Sequence, residues 1–350
     1  MTPQGVPQKT FVPHIGRREY FTILLLGLEI LLFALLSEHF LSWRNINTVL
    51  RNATDLAIVS IGMTLVMILC GIDLSVGSAL GVVAILVGWM LGAQWNPWVT
   101  ALAAVAAGAL LGSVNGVLIA LFNIPDIIAT IGTSSILRAA VFMMLGGQWL
   151  TGIDPVFSVL TRGRLFGLPL SLFIVGAFFA VFWYLMTHRP FGRHVYAIGN
   201  NLQAAALAGI DARRIRIASY ALVGALVGVA SLFYVGRLGS VEITVGNDLA
   251  LSAIAATVIG GTAVTGGRGS VVGTLAGVLF MAFMKNGIVL LGIPSLWERA
   301  VVGLLIIISV RIDLWLERRE ERRKREQLTA QRRLGRQAVP ATVAGQEVTG

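Results

Sequence analysis

The sequence predicts an all-α, polytopic membrane protein of about ten transmembrane helices, with interrupted helices in two related halves. Hydrophobic residues make up 56% of the 350 and charged residues 13%, and the mean hydropathy of +0.81 lies outside the usual soluble range. Apolar runs of about 20 residues, enough to cross a hydrocarbon layer of ~30 Å, recur along the chain. Spans are expected near 20–40, 53–70, 74–93, 98–122, 124–145, 168–187, 217–237, 249–265, 270–291 and 295–311. With that placement 19 of the 27 Lys and Arg fall on one side, 5 on the other and 3 within spans. The positive-inside rule then puts both termini in the cytoplasm. A net charge of +10 in a soluble domain would point to nucleic acid; here it marks topology, so lipid is expected and nucleic acid is not.

Taken in order, residues 1–19 read as a cytoplasmic tail whose Lys9, Arg17 and Arg18 precede the run from Tyr20 to Phe40. That run is too long for a signal-peptide core and has no small-residue cleavage pattern before Trp43, so it stays as the first span of a membrane domain over 20–312. Cys70, the single cysteine, excludes a disulfide framework and fits a packed thiol. GIDLSVGS at 71–78 interrupts the apolar pattern. Asp73 there must cap a helix start, pair with a cation or face water; capping is the simpler role, and contact with a solute, helped by Ser75 and Ser78, is the other. Between 108 and 140, Asn115, Thr130, Thr133, Ser134, Ser135 and Arg138 lie among apolar neighbours. They bond across helices or line a conduit for a hydroxyl-rich solute, which neutral donors and acceptors hold weakly enough to release. Gly112 and Gly116 form a small-xxx-small pair that calls for close helix packing. The Gly- and Pro-punctuated outer segment after Leu145 carries Trp149 at an interfacial position and could meet an external partner.

The loop from His188 to Arg216 is basic and set between apolar segments. Asn200 is suited to cap a helix, Gln203 to reach back as in a capping box, and Gly209 to stop it. Leu202, Ala205, Ala206 and Ile210 recur at helical spacing, so two to three turns with one small apolar face are expected. Such a helix is either a docking surface or a solvated connector. TGGRGS at 265–270 matches the earlier interruption in position, and paired interruptions point to an internal repeat around a central path. Residues 313–350 read as a basic tail, helical at first and then disordered.

Glu29, Arg138, Lys285, Glu298 and Arg299 are ionisable residues within or at the ends of spans. Lys285, Glu298 and Arg299 can snorkel or pair, whereas Arg138 lines the path or forms a buried structural charge. No phosphate-cradling G-x-x-x-x-G-K-[ST] occurs, no His, Cys or Glu cluster has metal-ligand spacing, and catalytic machinery is missing.

GIDLSVGS, NGVLIALFNIPDIIATIGT, FGRHVYAIGNNLQAAALAGI and IGGTAVTGGRGSVVGTLAG, in that order, closely resemble the membrane permeases of bacterial ABC importers for monosaccharides and autoinducer-2, over about residues 20–312. The resemblance implies an inner-membrane permease that pairs with a second permease, identical or paralogous, with two cytoplasmic ATPase subunits and with a periplasmic substrate-binding protein. ATP and Mg would sit on the ATPase, leaving this chain without a cofactor or a catalytic residue. The loop helix is then similar to the family's coupling helix, carried onto Gly199, Asn200, Ala204, Ala205, Gly209 and Ile210, and the path onto Asp73, Ser75, Ser78, Asn115, Thr133, Ser134 and Arg138. Within the group, GGQWLTGIDP, GNNLQ and GIPSLWE look most similar to autoinducer-2 permeases, and GGQW also to rhamnose permeases; ribose and xylose remain alternatives. An ion-coupled secondary transporter is the rival of another class and would rely on Glu29. A membrane enzyme acting on a lipid-linked substrate would need paired inward acids or histidines.

Overall fold

A computed structural model describes residues 17–294 and 296–311, with side chains from residue 20 onward. The expectations for residues 1–16 and for the tail after 311 lie outside these. The chain divides into two compact units, Met1–Ile306 and Ile307–Gly350; of the second, residues 307–311 are described, and they are helical.

Helices dominate: α1 Arg17–Leu36, α2 Trp43–Asn52, α3 Thr54–Ile68, α4 Val76–Gly92, α5 Pro97–Ala120, α6 Asp126–Leu145, α7 Ser158–Arg162, α8 Leu170–His188, α9 Pro190–Asn200, α10 Leu202–Leu207, α11 Ala212–Leu238, α12 Leu249–Ile259, α13 Val271–Leu290, and α14 over 296–311. A hairpin of β1 Arg164–Leu165 and β2 Leu168–Pro169 is the one sheet among the described residues. Each of the ten expected spans holds a helix. Five of them (α5, α6, α8, α11 and α13) are long and apolar enough alone to cross a membrane, and α2 with α3 forms a sixth candidate bent by 45°. The expected span over 249–265 is helical only over Leu249–Ile259, about 16 Å at 1.5 Å per residue, because Gly261 at φ +91° turns the chain out of the helix.

The sequence reading left 41–52 as a connector, but the structure has α2 there. Ser42 accepts from the Asn45 N–H at 3.3 Å, and Asn47 and Val49 are buried while Trp43 is exposed. Ten residues with scattered apolar positions give too few periods to be seen beside the long runs.

Every residue of α3 is buried, as expected of a helix that is apolar all round. Lipid supplies no hydrophobic drive between helices, so close backbone approach has to hold the bundle. Gly112 and Gly116 serve this purpose: a Cβ on Gly112 would strike the Tyr220 carbonyl and lie 3.0 Å from Gly224 Cα, and one on Gly116 would lie 2.8 Å from Ile217 Cα. Gly108 on α5 meets Gly224 and Gly228 on α11, so a ridge of glycines runs along both helices. A second such contact joins α12 to α13, where a Cβ on Gly260 would be 2.6 Å from the Gly273 carbonyl.

Residues assigned to one side of the membrane meet in space. At one end Leu150 pairs with Val241 in an isolated bridge, and Asn45 exchanges amide hydrogen bonds of 2.7 and 2.9 Å with Asn286. At the other, the Gly267 N–H donates to the Ile68 carbonyl at 2.8 Å.

Substituting Gly112 with Val should destabilise the folded chain by about 1–3 kcal/mol through overpacking against α11. Gly176→Ala in α8, where a Cβ meets open space, should be neutral or stabilising by about 0.5–1 kcal/mol. Thermal unfolding of the two variants in detergent checks both; equal midpoints would remove the glycine ridge as the bond between these helices.

Candidate functional site

The interruption between α3 and α4 leaves backbone groups that a helix would have satisfied, and polar side chains take their place. Asp73, only 2% exposed, accepts through Oδ1 from the Ser75 N–H at 2.8 Å and from the Ser75 hydroxyl at 2.7 Å, fixing the turn that opens α4. Asn115, facing it from α5, donates to Ser75 Oγ at 2.7 Å, and its Oδ1 has no partner. Thr130 of α6 donates to the Ile72 carbonyl at 3.1 Å. Asp73, Ser75 and Asn115 thus form one buried support, in which Asp73 bonds the residue ahead of α4 and no N–H of the helix itself.

One turn further along α4, Ser78 faces Ser134 of α6 with their hydroxyls 3.0 Å apart. Ser78, Ser134, Ser135, Arg138 and Asn247 line an open groove. Ser134 and Arg138 are four residues apart and share a helix face. Thr133 is turned off that face: it is half-buried and donates to its own helix at the Ala129 and Thr130 carbonyls, at 3.0 and 3.2 Å. The Arg138 guanidinium is held by backbone and not by a carboxylate, donating from Nη1 to the Val245 carbonyl at 2.7 Å and to Ile243 at 3.4 Å. It fastens the segment 243–247, whose Gly246 (φ +72°) packs directly on Gly77. Asn247, which carries no recognisable motif, was missed by sequence reasoning.

The loop end requires a correction. Asn200 does not cap the loop helix. It is the last residue of α9, and its amide donates to the Tyr196 and Gly267 carbonyls at 2.8 and 3.0 Å. Asn201 is the cap instead, with Oδ1 accepting from the Ala204 N–H at 2.9 Å. Either asparagine of the pair fits the pattern; φ −161° at Asn201 gives it the extended backbone a cap needs. The helix is one short element, α10, and Gly209 at φ +79° ends it as expected, with the Ile210 N–H returning to the Ala205 carbonyl at 3.0 Å. Ala205 is buried and Ile210 half-buried, whereas Ala204 and Gly209 are exposed and Leu207 is 91% exposed.

Gly199 packs so closely that a Cβ would strike the Ile68 carbonyl and come within 2.7 Å of Gly267 N. Cys70, expected as a packed thiol, is exposed; its thiol lies against the Thr265 carbonyl at 3.1 Å and the Gly199 carbonyl at 3.5 Å, and the Tyr196 hydroxyl donates to Gly269 at 2.8 Å. Both glycine-rich interruptions therefore meet beneath the end of α9, from which the chain continues into α10.

The ionisable residues sort differently. Lys285 contacts Glu298 at 2.5 Å and Ser252 at 3.1 Å, Arg299 pairs with Asp248 at 2.9 Å, and Arg237 pairs with Asp55. Glu29 is buried on α1 with neither carboxylate oxygen partnered.

Residues 45–310 match the family model described as the branched-chain amino acid transport system / permease component. The ribose import permease protein RbsC of Escherichia coli (strain K12) is 35% identical over 317 residues, covering 89% of this chain and 99% of its own. The ribose import permease RbsC of Bacillus subtilis (strain 168) is 37% identical, covering 82% of this chain and 91% of its own. The autoinducer 2 import system permease protein LsrC of Escherichia coli O9:H4 (strain HS) is 33% identical, covering 89% and 91%. No solved structure matches the chain.

Replacing Arg138 with Met removes two charged hydrogen bonds to backbone, worth about 1.5–3 kcal/mol each. Amide hydrogen exchange at Val245, Gly246 and Asn247 should accelerate by about tenfold or more while α3 keeps its protection. Unchanged exchange would mean that Arg138 is not the fastener.

Proposed function

We propose, starting from the fact that this chain belongs to the family of transport-system permease components, that it is the membrane subunit of an ATP-driven importer for a small, hydroxyl-rich solute. It is a multi-pass membrane protein, and we infer that it sits in the bacterial inner membrane with both termini in the cytoplasm. A second permease chain, two ATPase subunits that carry ATP and Mg, and a periplasmic binding protein would complete the assembly. This chain would contribute no catalytic residue and no cofactor.

The observation that carries the reading is the seating of the end of α9, which leads into α10, on the junction of the two interruptions. That end is tied by Gly199 and Asn200 to Ile68 and Gly267, while Leu207 of α10 stands exposed to a partner. A partner gripping Ala204, Leu207 and Gly209 would move α9 and α10 as one body, and Ile68 and Gly267 with them. Those residues lead directly into the turn held by Asp73 and into α13, so rotation at the loop would be passed to the groove of Ser78, Ser134 and Arg138. Two-state rocking of this kind gives alternating access.

The groove favours a neutral solute, because its lining offers hydroxyls and an amide and its one cation is already engaged with carbonyls. GGQWLTGIDP and GIPSLWE speak for autoinducer-2, whereas the ribose permeases among the relatives are at least as similar. Ribose and autoinducer-2 are therefore the two solutes to compare.

In proteoliposomes containing the chain with its ATPase and partner permease, ATP should drive uptake of labelled ribose or autoinducer-2. Gly209→Val forces a side chain into the left-handed region at about 1–3 kcal/mol, and Leu207→Asp charges the free crest. Each should cut uptake about tenfold or more while leaving insertion intact; normal uptake in both variants rejects the coupling role. The unpartnered Glu29 supports the ion-coupled alternative. Under that alternative, Glu29→Gln or collapse of the ion gradient at full ATP abolishes uptake; under ours, uptake persists.

A further inference from the structure

The end of α8 carries a cluster that neither the groove nor α10 uses. With 19 residues α8 is about 28 Å long, close to the ~30 Å of a hydrocarbon layer, so Leu170 and His188 stand near its two boundaries. Phe173, Ala177, Val181, Tyr184 and His188 recur at steps of four and three and are all exposed, which makes one unpartnered face along the helix. That face is apolar until its last turns, and Arg189 follows it directly, with Arg193 one turn into α9. We propose that this face is a binding site for an acidic phospholipid, with an acyl chain along the apolar stripe and the phosphate on Arg189 and Arg193.

The side chains at the cationic end hold one another in place. The Thr187 hydroxyl donates to the Trp183 carbonyl at 2.7 Å and lies 2.6 Å from Nδ1 of His188, which fixes that ring. His188 stacks on Tyr184, with centroids 5.2 Å apart and 16° between the planes, and meets Trp183 edge-on at 5.2 Å. The Arg189 guanidinium lies 5.1 Å from the Tyr184 ring centroid, a cation–π contact that positions it without using its N–H groups. A Cβ on Gly192 would strike the Met186 carbonyl, so the start of α9 is folded tightly against the end of α8.

The charges call for an anion. No Asp or Glu lies between Asp154 and Asp211 in the sequence, and Asp211 is paired with Arg214. Among the described residues no carboxylate pairs with Arg189 or Arg193, and no acid stands in the first turn of α9. Like charges one turn apart on a helix repel, and a phosphodiester with its two free oxygens answers both arginine forks.

The rest of the face says that this anion belongs to a lipid. Trp183 and Tyr184 expose their rings at the depth where aromatic side chains sit among headgroups. Phe173 and Val181 continue the same face at hydrocarbon depth, where an acyl chain reaches and an acidic soluble protein does not. The inference depends on α8 crossing the membrane and is independent of what the chain transports.

The test takes the full-length chain in mild detergent, with phosphatidylglycerol, phosphatidylcholine of the same acyl chains and inorganic phosphate as probes. Native mass spectrometry counts retained lipid, and thermal unfolding reads stabilisation. Phosphatidylglycerol should be retained about tenfold more than phosphatidylcholine, whose choline cancels the phosphate charge, and should raise the midpoint, whereas inorganic phosphate should not. Arg189→Gln combined with Arg193→Gln should cut retention about tenfold and remove that rise while the midpoint without lipid stays the same. Arg162→Gln combined with Arg164→Gln, which removes equal charge at the opposite end of α8, should change retention less than about twofold. Equal losses in the two double variants reduce the effect to overall charge and overturn the site, as does equal retention of the two lipids. A rise with inorganic phosphate alone makes it a site for a soluble anion, and displacement of the lipid by an added ATPase subunit gives the arginines to a protein; either overturns the lipid assignment.

Discussion

Backbone groups that leave a helix inside a packed apolar bundle must find partners within the protein, because their apolar surroundings have none to give. The rest of this structure follows from that constraint. The chain breaks after Ile68 and again after Ile259, and both breaks are glycine-rich. Their freed groups are met by Asp73, Ser75, Asn115 and Thr130 at the first, and by Asn200 and Tyr196 at the second. α3 and most of α4 lie in the interior although their sequences would suit a lipid-facing span. Polar groups placed for this structural purpose also create a hydrophilic surface, so the groove and its support are made from the same segments.

Holding those helices in the centre demands close packing around them. The glycine ridge between α5 and α11 brings two backbones together where side chains would keep them apart, and Tyr220 of α11 then reaches the turn at Gly71. The contact between Gly77 and Gly246 does the same for segment 243–247, and Arg138 locks it from the other side. Close approach and polar satisfaction are thus two halves of one arrangement.

Much of this could be read from the chain. The apolar runs gave the helices, and Gly112 with Gly116 announced a tight interface, because both signals are local. Which helix would fill that interface was not legible, since Gly224 lies over a hundred residues away and nothing local joins them. Ser134 and Arg138 belong together by helical spacing, and the same geometry takes Thr133 off the face; treating adjacent residues as one lining ignored the 100° step between them. Asn200 and Asn201 were indistinguishable as caps, because the choice depends on where α9 ends, and α9 ends where Gly199 meets Ile68 and Gly267. Asn247, Asp55 and Arg237 acquire meaning only from segments brought together by the fold.

The distance along the chain between the two glycine-bearing helices also bears on biogenesis. α5 leaves the ribosome well before α11 exists, and at about 5–20 residues per second the interval is on the order of 5–20 s. For that time its bare stripe has only lipid tails, or an insertase, to rest against. Assembly of the bundle must therefore wait for the later helix to be threaded in, and the nascent half-protein is the form most exposed to membrane quality-control proteases.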